Sequence, residues 1–229
     1  MEEARNKEMI ELLKVRGGTY RLLSRLWARE VDEALWEELR AISFPSVTEI
    51  PILDGAYRTL EGALKENGEL KTLLENLAAD YAILCLGASR RDGADPYESV
   101  HLSKDNIMMQ DEWEQMLYLY YELGLQRSEN TSELEDHLAM ELECIAILCE
   151  RAVEATNSGD IPGVSWSISQ QVGLLDDHLL KWVPSFVRKV LDLASTEFYK
   201  AVAVITREYL TMDRELLKEL STEEVFQPT

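Results

Sequence analysis

Residues able to do chemistry gather at two places in this chain, 136–144 and 176–178. His137 and Glu141 stand four apart, with Cys144 three further on, so one helix face would carry all three and could in principle offer metal ligands. Zinc sites, however, bring several His or Cys ligands together. Here the histidines are only His101, His137 and His178, widely scattered. Cys85, Cys144 and Cys149 are odd in number and match no Cys-x-x-Cys spacing. The 137/141/144 stripe therefore reads as a helix boundary whose polar groups satisfy neighbouring backbone, and the cysteines as small reduced core residues. Asp176-Asp177-His178 has no second acidic motif with which to share a divalent ion and reads as a solvated face. No metal and no cofactor is expected.

Asp136-His137 supports two readings. In one, it is helix-start chemistry: Asp136, with Glu133 nearby, complements the positive end of the helix that follows. In the other, a carboxylate and an imidazole line a peptide site and accept hydrogen bonds from arginine or backbone groups. Tyr81, Leu84 and Trp113 read as core on spacing alone. Arg90-Arg91 lies mid-chain, is followed by Asp92-Gly93 and has no apolar run after it, so it is not an export signal. The chain contains no phosphate-binding glycine loop, dinucleotide fingerprint or nucleophile elbow. None of these patterns supports an enzyme.

The 229 residues include 43 acidic and 23 basic side chains, a net charge of −20. Such a surface repels nucleic-acid phosphates and anionic lipid and attracts basic ligands, the more so at low salt. Met1-Glu2-Glu3-Ala4-Arg5 lacks the basic start and apolar run of a secretory signal, and no apolar stretch approaches the roughly 20 residues that span a bilayer. A soluble cytoplasmic protein is expected, with no nucleic-acid partner and no stable membrane insertion.

The elements that must position these residues read as nearly all helix. Ile10, Leu13, Tyr20, Leu23 and Trp27 mark one face of a helix over about 8–27. Gly17-Gly18 inside it implies close packing of another helix, or a kink, since each glycine costs about 1 kcal/mol relative to alanine. Asp32 caps a short helix carrying Leu35, Trp36 and Leu39, ended by Phe44-Pro45-Ser46. Two helices over 52–67 and 69–86 flank Asn67-Gly68. A polar loop spans about 87–110, and helix resumes near Asp111. Gly124 and the run Arg127 to Ser132 make the next connection. A long helix is predicted from about Glu133 to Ala155, with Leu134, Leu138, Leu142, Ile145 and Cys149 inward. A loop near 156–166 follows, then helices over about 167–182 and 184–210, and a frayed acidic C-terminal tail. The expectation is a single all-α domain over 1–229.

Four segments in this order resemble the TorD/DmsD-like chaperones of molybdoenzyme maturation, which are related to nitrate reductase delta-type chaperones. They are Tyr81 to Gly87, Pro96-Tyr97-Glu98-Ser99-Val100, Glu135-Asp136-His137-Leu138 with Glu141-Leu142-Glu143, and His178 to Pro184 followed by Phe198-Tyr199. Departures include Cys85 for the family's phenylalanine, Ala88 for a proline, and Glu135 for the proline before Asp-His. The resemblance implies a single helical bundle of the TorD-like type. It implies a cytoplasmic chaperone that binds the twin-arginine leader and apo catalytic subunit of a molybdopterin-containing oxidoreductase, DMSO/TMAO reductase-like or nitrate reductase-like. Such a chaperone assists cofactor insertion and prevents premature export. It further implies a monomer or a domain-swapped dimer, and a peptide site at Tyr81, Leu84, Pro96, Tyr97, Ser99, Asp136 and His137. The alternative is a general helical interaction or scaffold module without leader specificity.

Overall fold

A computed structural model describes residues 2–45, 47–87, 93–127 and 132–222 of the chain. Ser46, Ala88, the Arg90-Arg91 pair, residues 128–131 of the expected connection and the tail from 223 to 229 lie outside the described residues. The regular structure is helical, as expected: α1 (Glu2–Ala28), α2 (Glu33–Ala41), α3 (Pro51–Leu64), α4 (Leu70–Cys85), α5 (Glu98–Leu102), α6 (Asp111–Glu122), α7 (Leu138–Ser158), α8 (Ile161–Leu174), α9 (Leu180–Leu193) and α10 (Glu197–Thr222). A π turn, Leu175–Leu179, joins α8 to α9. Among the described residues there is no strand, only an isolated antiparallel bridge between Tyr97 and His137. No helix among them is long and apolar enough to cross a membrane.

The most extensive helix pair is α1 against α7, and Gly17 explains how the two approach. A Cβ on Gly17 would meet Cys149 Cβ at 3.3 Å, whereas Gly18 has nothing within 4 Å. Close packing, not a kink, therefore accounts for the first glycine of the pair. α8 packs on α7, and α10 packs on α3 and α9. One apolar cluster draws on all of these, with Leu13, Tyr20, Trp27, Leu142, Trp182, Phe186 and Tyr199 fully buried. Trp27 meets Phe186 edge to face at 5.0 Å between centroids. Within this apolar interior Arg16 donates two hydrogen bonds to Asp213, at 2.6 and 2.8 Å, and Tyr20 donates a third at 2.7 Å, tying α1 to α10.

Several boundaries differ from the sequence reading: α5 forms inside the loop expected over about 87–110, and α10 runs on to Thr222, past the helix end expected near 210. The long helix begins at Leu138 rather than near Glu133, because Asp136 and Leu138 are spent on tertiary bonds described below. α8 begins at Ile161, inside the loop expected near 156–166. There Gly159, at φ +73°, ends α7, and Asp160 accepts from Gly163 N at 3.0 Å to open α8, so two residues suffice for the turn. Pro184 lies within α9 instead of dividing two helices. It removes one intrahelical bond where the π turn already interrupts the regular ladder, and the chain continues across it. The break falls at 194–196, where Asp80 accepts hydrogen bonds from the backbone N–H and hydroxyl of both Ser195 and Thr196, at 2.6–3.0 Å.

Candidate functional site

The segment from Asp95 to Ser99 and the start of α7 are laced into one knot. Asp95 takes a left-handed conformation, φ +53°, and its N–H donates to Leu84 O at 3.1 Å, anchoring the segment on the end of α4. Glu98 N donates to Asp136 O at 2.9 Å and Leu138 N to Pro96 O at 2.8 Å, the two bonds that flank the Tyr97–His137 bridge. The Asp136 carboxylate accepts from Ser99 N at 3.1 Å and from the Ser99 hydroxyl at 2.5 Å. His137 caps α7: its Nδ1 accepts from Ala139 N at 3.0 Å, which fixes the neutral ring with its proton on Nε2. Burial holds this imidazole down to about 4, and Glu133, at 3.8 Å, only partly offsets that. Tyr97 stacks edge-on against His137 at 4.9 Å, and its hydroxyl donates to Glu133.

Behind the knot lies a buried set of acids. The His178 Nδ1 is 2.7 Å from Glu98 Oε2, joining α5 to the π turn across 80 residues of sequence. Trp182 Nε1 donates to Glu141 Oε2 at 3.1 Å, while Glu141 Oε1 and Asp136 Oδ1 are buried without a hydrogen-bond partner. Burial raises the carboxyls of Glu98, Asp136 and Glu141 above their ordinary range, Glu141 well above, and each is raised further by a neighbouring acid. Burial and the mutual repulsion of these acids both favour the protonated form. Among the described residues no group of His, Cys, Asp and Glu is arranged to hold a metal ion.

All seven positions anticipated for a peptide site fall within this region, in two roles. Pro96, Tyr97, Ser99, Asp136 and His137 form the knot itself. Tyr81 and Leu84 sit beneath it on α4, buried, with Tyr81 donating to Trp27 O at 3.2 Å and ring-packed near Tyr199. Ser99, Asp136 and Leu84 have no exposed surface at all. Tyr97 is partly exposed, and the Glu133 side chain beside it retains 22% of its surface. Of the pair Asp136-His137, only His137 caps α7; the Asp136 carboxylate bonds Ser99 in the first turn of α5 instead of the helix that follows it. The 137/141/144 stripe is fully internal rather than a boundary, and His178, read as part of a solvated face, is buried on Glu98. Asp176 and Asp177 do face outward, bonded to Arg214 and Lys181. Glu98, Glu133 and Trp182 belong to the site although their local sequence does not mark them as peptide-binding positions. Glu98 lies between Tyr97 and Ser99, but no local pattern announces a partner 80 residues away.

Comparison with known proteins places the chain among maturation factors. The nitrate reductase delta subunit family matches residues 51–188, a span from α3 into α9 that contains every candidate position. Chaperone protein TorD of Shewanella piezotolerans is 30% identical over 220 residues, covering 91% of this chain and 95% of its own length. Chaperone protein TorD of Vibrio cholerae serotype O1 is 29% identical over 223 residues, covering 94% and 99%. The crystal structure of an Archaeoglobus fulgidus protein assigned to redox enzyme maturation superposes with a TM-score of 0.50 at 19% identity, over 86% of this chain and 93% of that one. At that identity the likeness speaks for the fold alone.

Proposed function

Because this chain belongs to the nitrate reductase delta subunit family, that of the TorD chaperones, we propose that it is a cytoplasmic maturation chaperone for a molybdoenzyme, not an enzyme itself. Its client is the apo catalytic subunit, engaged through a basic twin-arginine leader and held back from export until the cofactor is inserted. The observation that carries the leader reading is charge. A surplus of 20 acidic groups over basic ones gives a surface that draws an arginine pair and its flanking helix toward it. Tyr97 and Glu133 supply an aromatic and an acid at the accessible rim of the motif region.

Isothermal titration against a panel of synthetic molybdoenzyme leaders, at low and moderate salt, tests this. Micromolar or tighter binding to one leader is expected, weakened by salt and lost when both arginines become glutamine. The absence of binding to every leader would remove leader recognition from the assignment.

One observation favours a second reading, a helical docking module indifferent to the arginine pair. The Asp136 carboxylate is committed to Ser99 and buried, so it offers no open counter-ion. Undiminished affinity for a leader with both arginines replaced would select that reading.

A further inference from the structure

Outside the knot, exposed apolar groups and acids lie together on α6. Met116 and Tyr120 fix the orientation of this helix: both are buried, and the Tyr120 hydroxyl donates to Met140 O on α7 at 2.9 Å. Leu117, Tyr118 and Tyr121 are left 42%, 69% and 83% exposed. Tyr121 lies four residues from Leu117 and three from Tyr118, so the three make one continuous stripe. A groove of about 390 Å³ runs beside it, between Leu117, Tyr121, Leu125 and Arg127. Ile107, Met108 and Met109, just ahead of α6, are also exposed, and methionine adapts readily to varied apolar partners.

The charge on this face selects the occupant. α6 carries Asp111, Glu112, Glu114 and Glu122 and no lysine or arginine. Arg127, the cation at the groove, is already engaged by Glu135 at 2.9 Å and by Glu133 O at 2.7 Å. A second copy of the chain, also at −20, would bring its own excess of acid to the same place. An apolar stripe flanked by acids that pair with no cation among the described residues complements a helix that is apolar on one side and cationic at its end.

We propose that the exposed face of α6, centred on Leu117, Tyr118 and Tyr121 and flanked by Glu114 and Glu122, is the docking surface for a cationic amphipathic helix, the client's leader. This rests on the leader-binding reading above and locates its seat. The knot and its buried acids then act as the frame that holds the segment leading into α6 against α7 and α9.

The test is fluorescence anisotropy with labelled synthetic molybdoenzyme leaders, each carrying an arginine pair ahead of an apolar helical segment, titrated with the full chain. Leu117→Ser with Tyr121→Ser is expected to weaken binding at least tenfold with only a small fall in melting temperature, since Tyr121 is largely exposed and Leu117 partly so. Glu114→Gln with Glu122→Gln should weaken it several-fold and flatten its salt dependence. Ile52→Ser, an exposed apolar change on α3, should leave it unaltered. Wild-type affinity in the Leu117/Tyr121 variant overturns the α6 seat while leaving leader binding intact. Leaders that fail to bind the unaltered chain overturn both. Self-association that is lost in this variant, with peptide binding unchanged, assigns the face to a second copy and likewise overturns the proposal.

Discussion

Asp136 accepts both the backbone N–H and the hydroxyl of Ser99, and the two side chains are wholly buried. This relationship, not an open anion, is what the aspartate at the start of α7 provides. Removing it with Asp136→Ala leaves the Ser99 donors unpaired in the interior. A loss of about 1–3 kcal/mol is expected, the cost of leaving buried donors unsatisfied. Urea denaturation should show a lowered midpoint for Asp136→Ala and a smaller shift for Ser99→Ala, which leaves the backbone N–H bond in place. A fall in leader affinity without any loss of stability would contradict this account.

Glu141 makes stability depend on pH in a definite direction. Burial raises its carboxyl well above the usual 4.5, so the folded state binds a proton that the unfolded state has released. Its contribution is fully present below about 4.5 and is lost as pH rises toward the folded value. His137, held down to about 4 by burial, acts oppositely between about 4 and 6.5, and Glu98, Asp136 and Asp80 add their own shifts, so the whole-protein curve mixes them all. The difference between wild type and Glu141→Gln isolates the carboxyl. That difference should move against wild type as pH rises above 4.5, by at most about 1.4 kcal/mol per pH unit. A pH-independent difference would mean that Glu141 is ionised in the fold.

The helices and the motif region were legible in the sequence for local reasons. Leu142, Ile145 and Cys149 repeat with the helical period, Asp32 announces its cap, and the ordered family segments mark the residues that do meet at Tyr97 and His137. What was illegible is non-local. Glu98 with His178, Asp80 with Ser195 and Arg16 with Asp213 are pairs separated by 80 to 197 residues, and no periodicity encodes them. The start of α7 was misplaced for the same reason: Glu133 looks like a helix opening, but the Leu138 N–H goes to Pro96 on another segment. Burial of Asp136 was equally hidden, since an acid near a helix start is normally solvated.

The adjacent glycines of α1 should respond oppositely to substitution. Gly18 has open space where a side chain would go, so Gly18→Ala should stabilise the protein by about 0.4–1 kcal/mol through the unfolded chain and helix propensity. Gly17 faces Cys149 on α7, and Gly17→Val would force the two helices apart at a cost of about 1–3 kcal/mol. Thermal melts of the two single variants decide this, and stabilisation by Gly17→Val would show that α1 and α7 are not closely packed there.

Asp80 is predicted to be an acid-sensitive clasp between α4 and the start of α10. Burial pushes its carboxyl up, but the four hydrogen bonds from Ser195 and Thr196 outweigh that and hold it below the ordinary range. Its stabilisation is therefore full above about 3.8 and disappears as pH falls through the lower folded value. No helix-breaking residue stands at 194–196, so the clasp also defines where α9 ends and α10 begins. Asp80→Ala should cost about 2 kcal/mol or more at neutral pH, because it orphans donors at a helix N-terminus as well as removing a charge that favours that end. Asp80→Asn should lose less, since its amide oxygen can still accept from one of the two residues. Hydrogen exchange provides the local check: in Asp80→Ala the amides of Ser195, Thr196 and the first turn of α10 should exchange faster while those of α7 are unaffected. Uniform acceleration across the chain would mean that the clasp supports the whole fold rather than this junction.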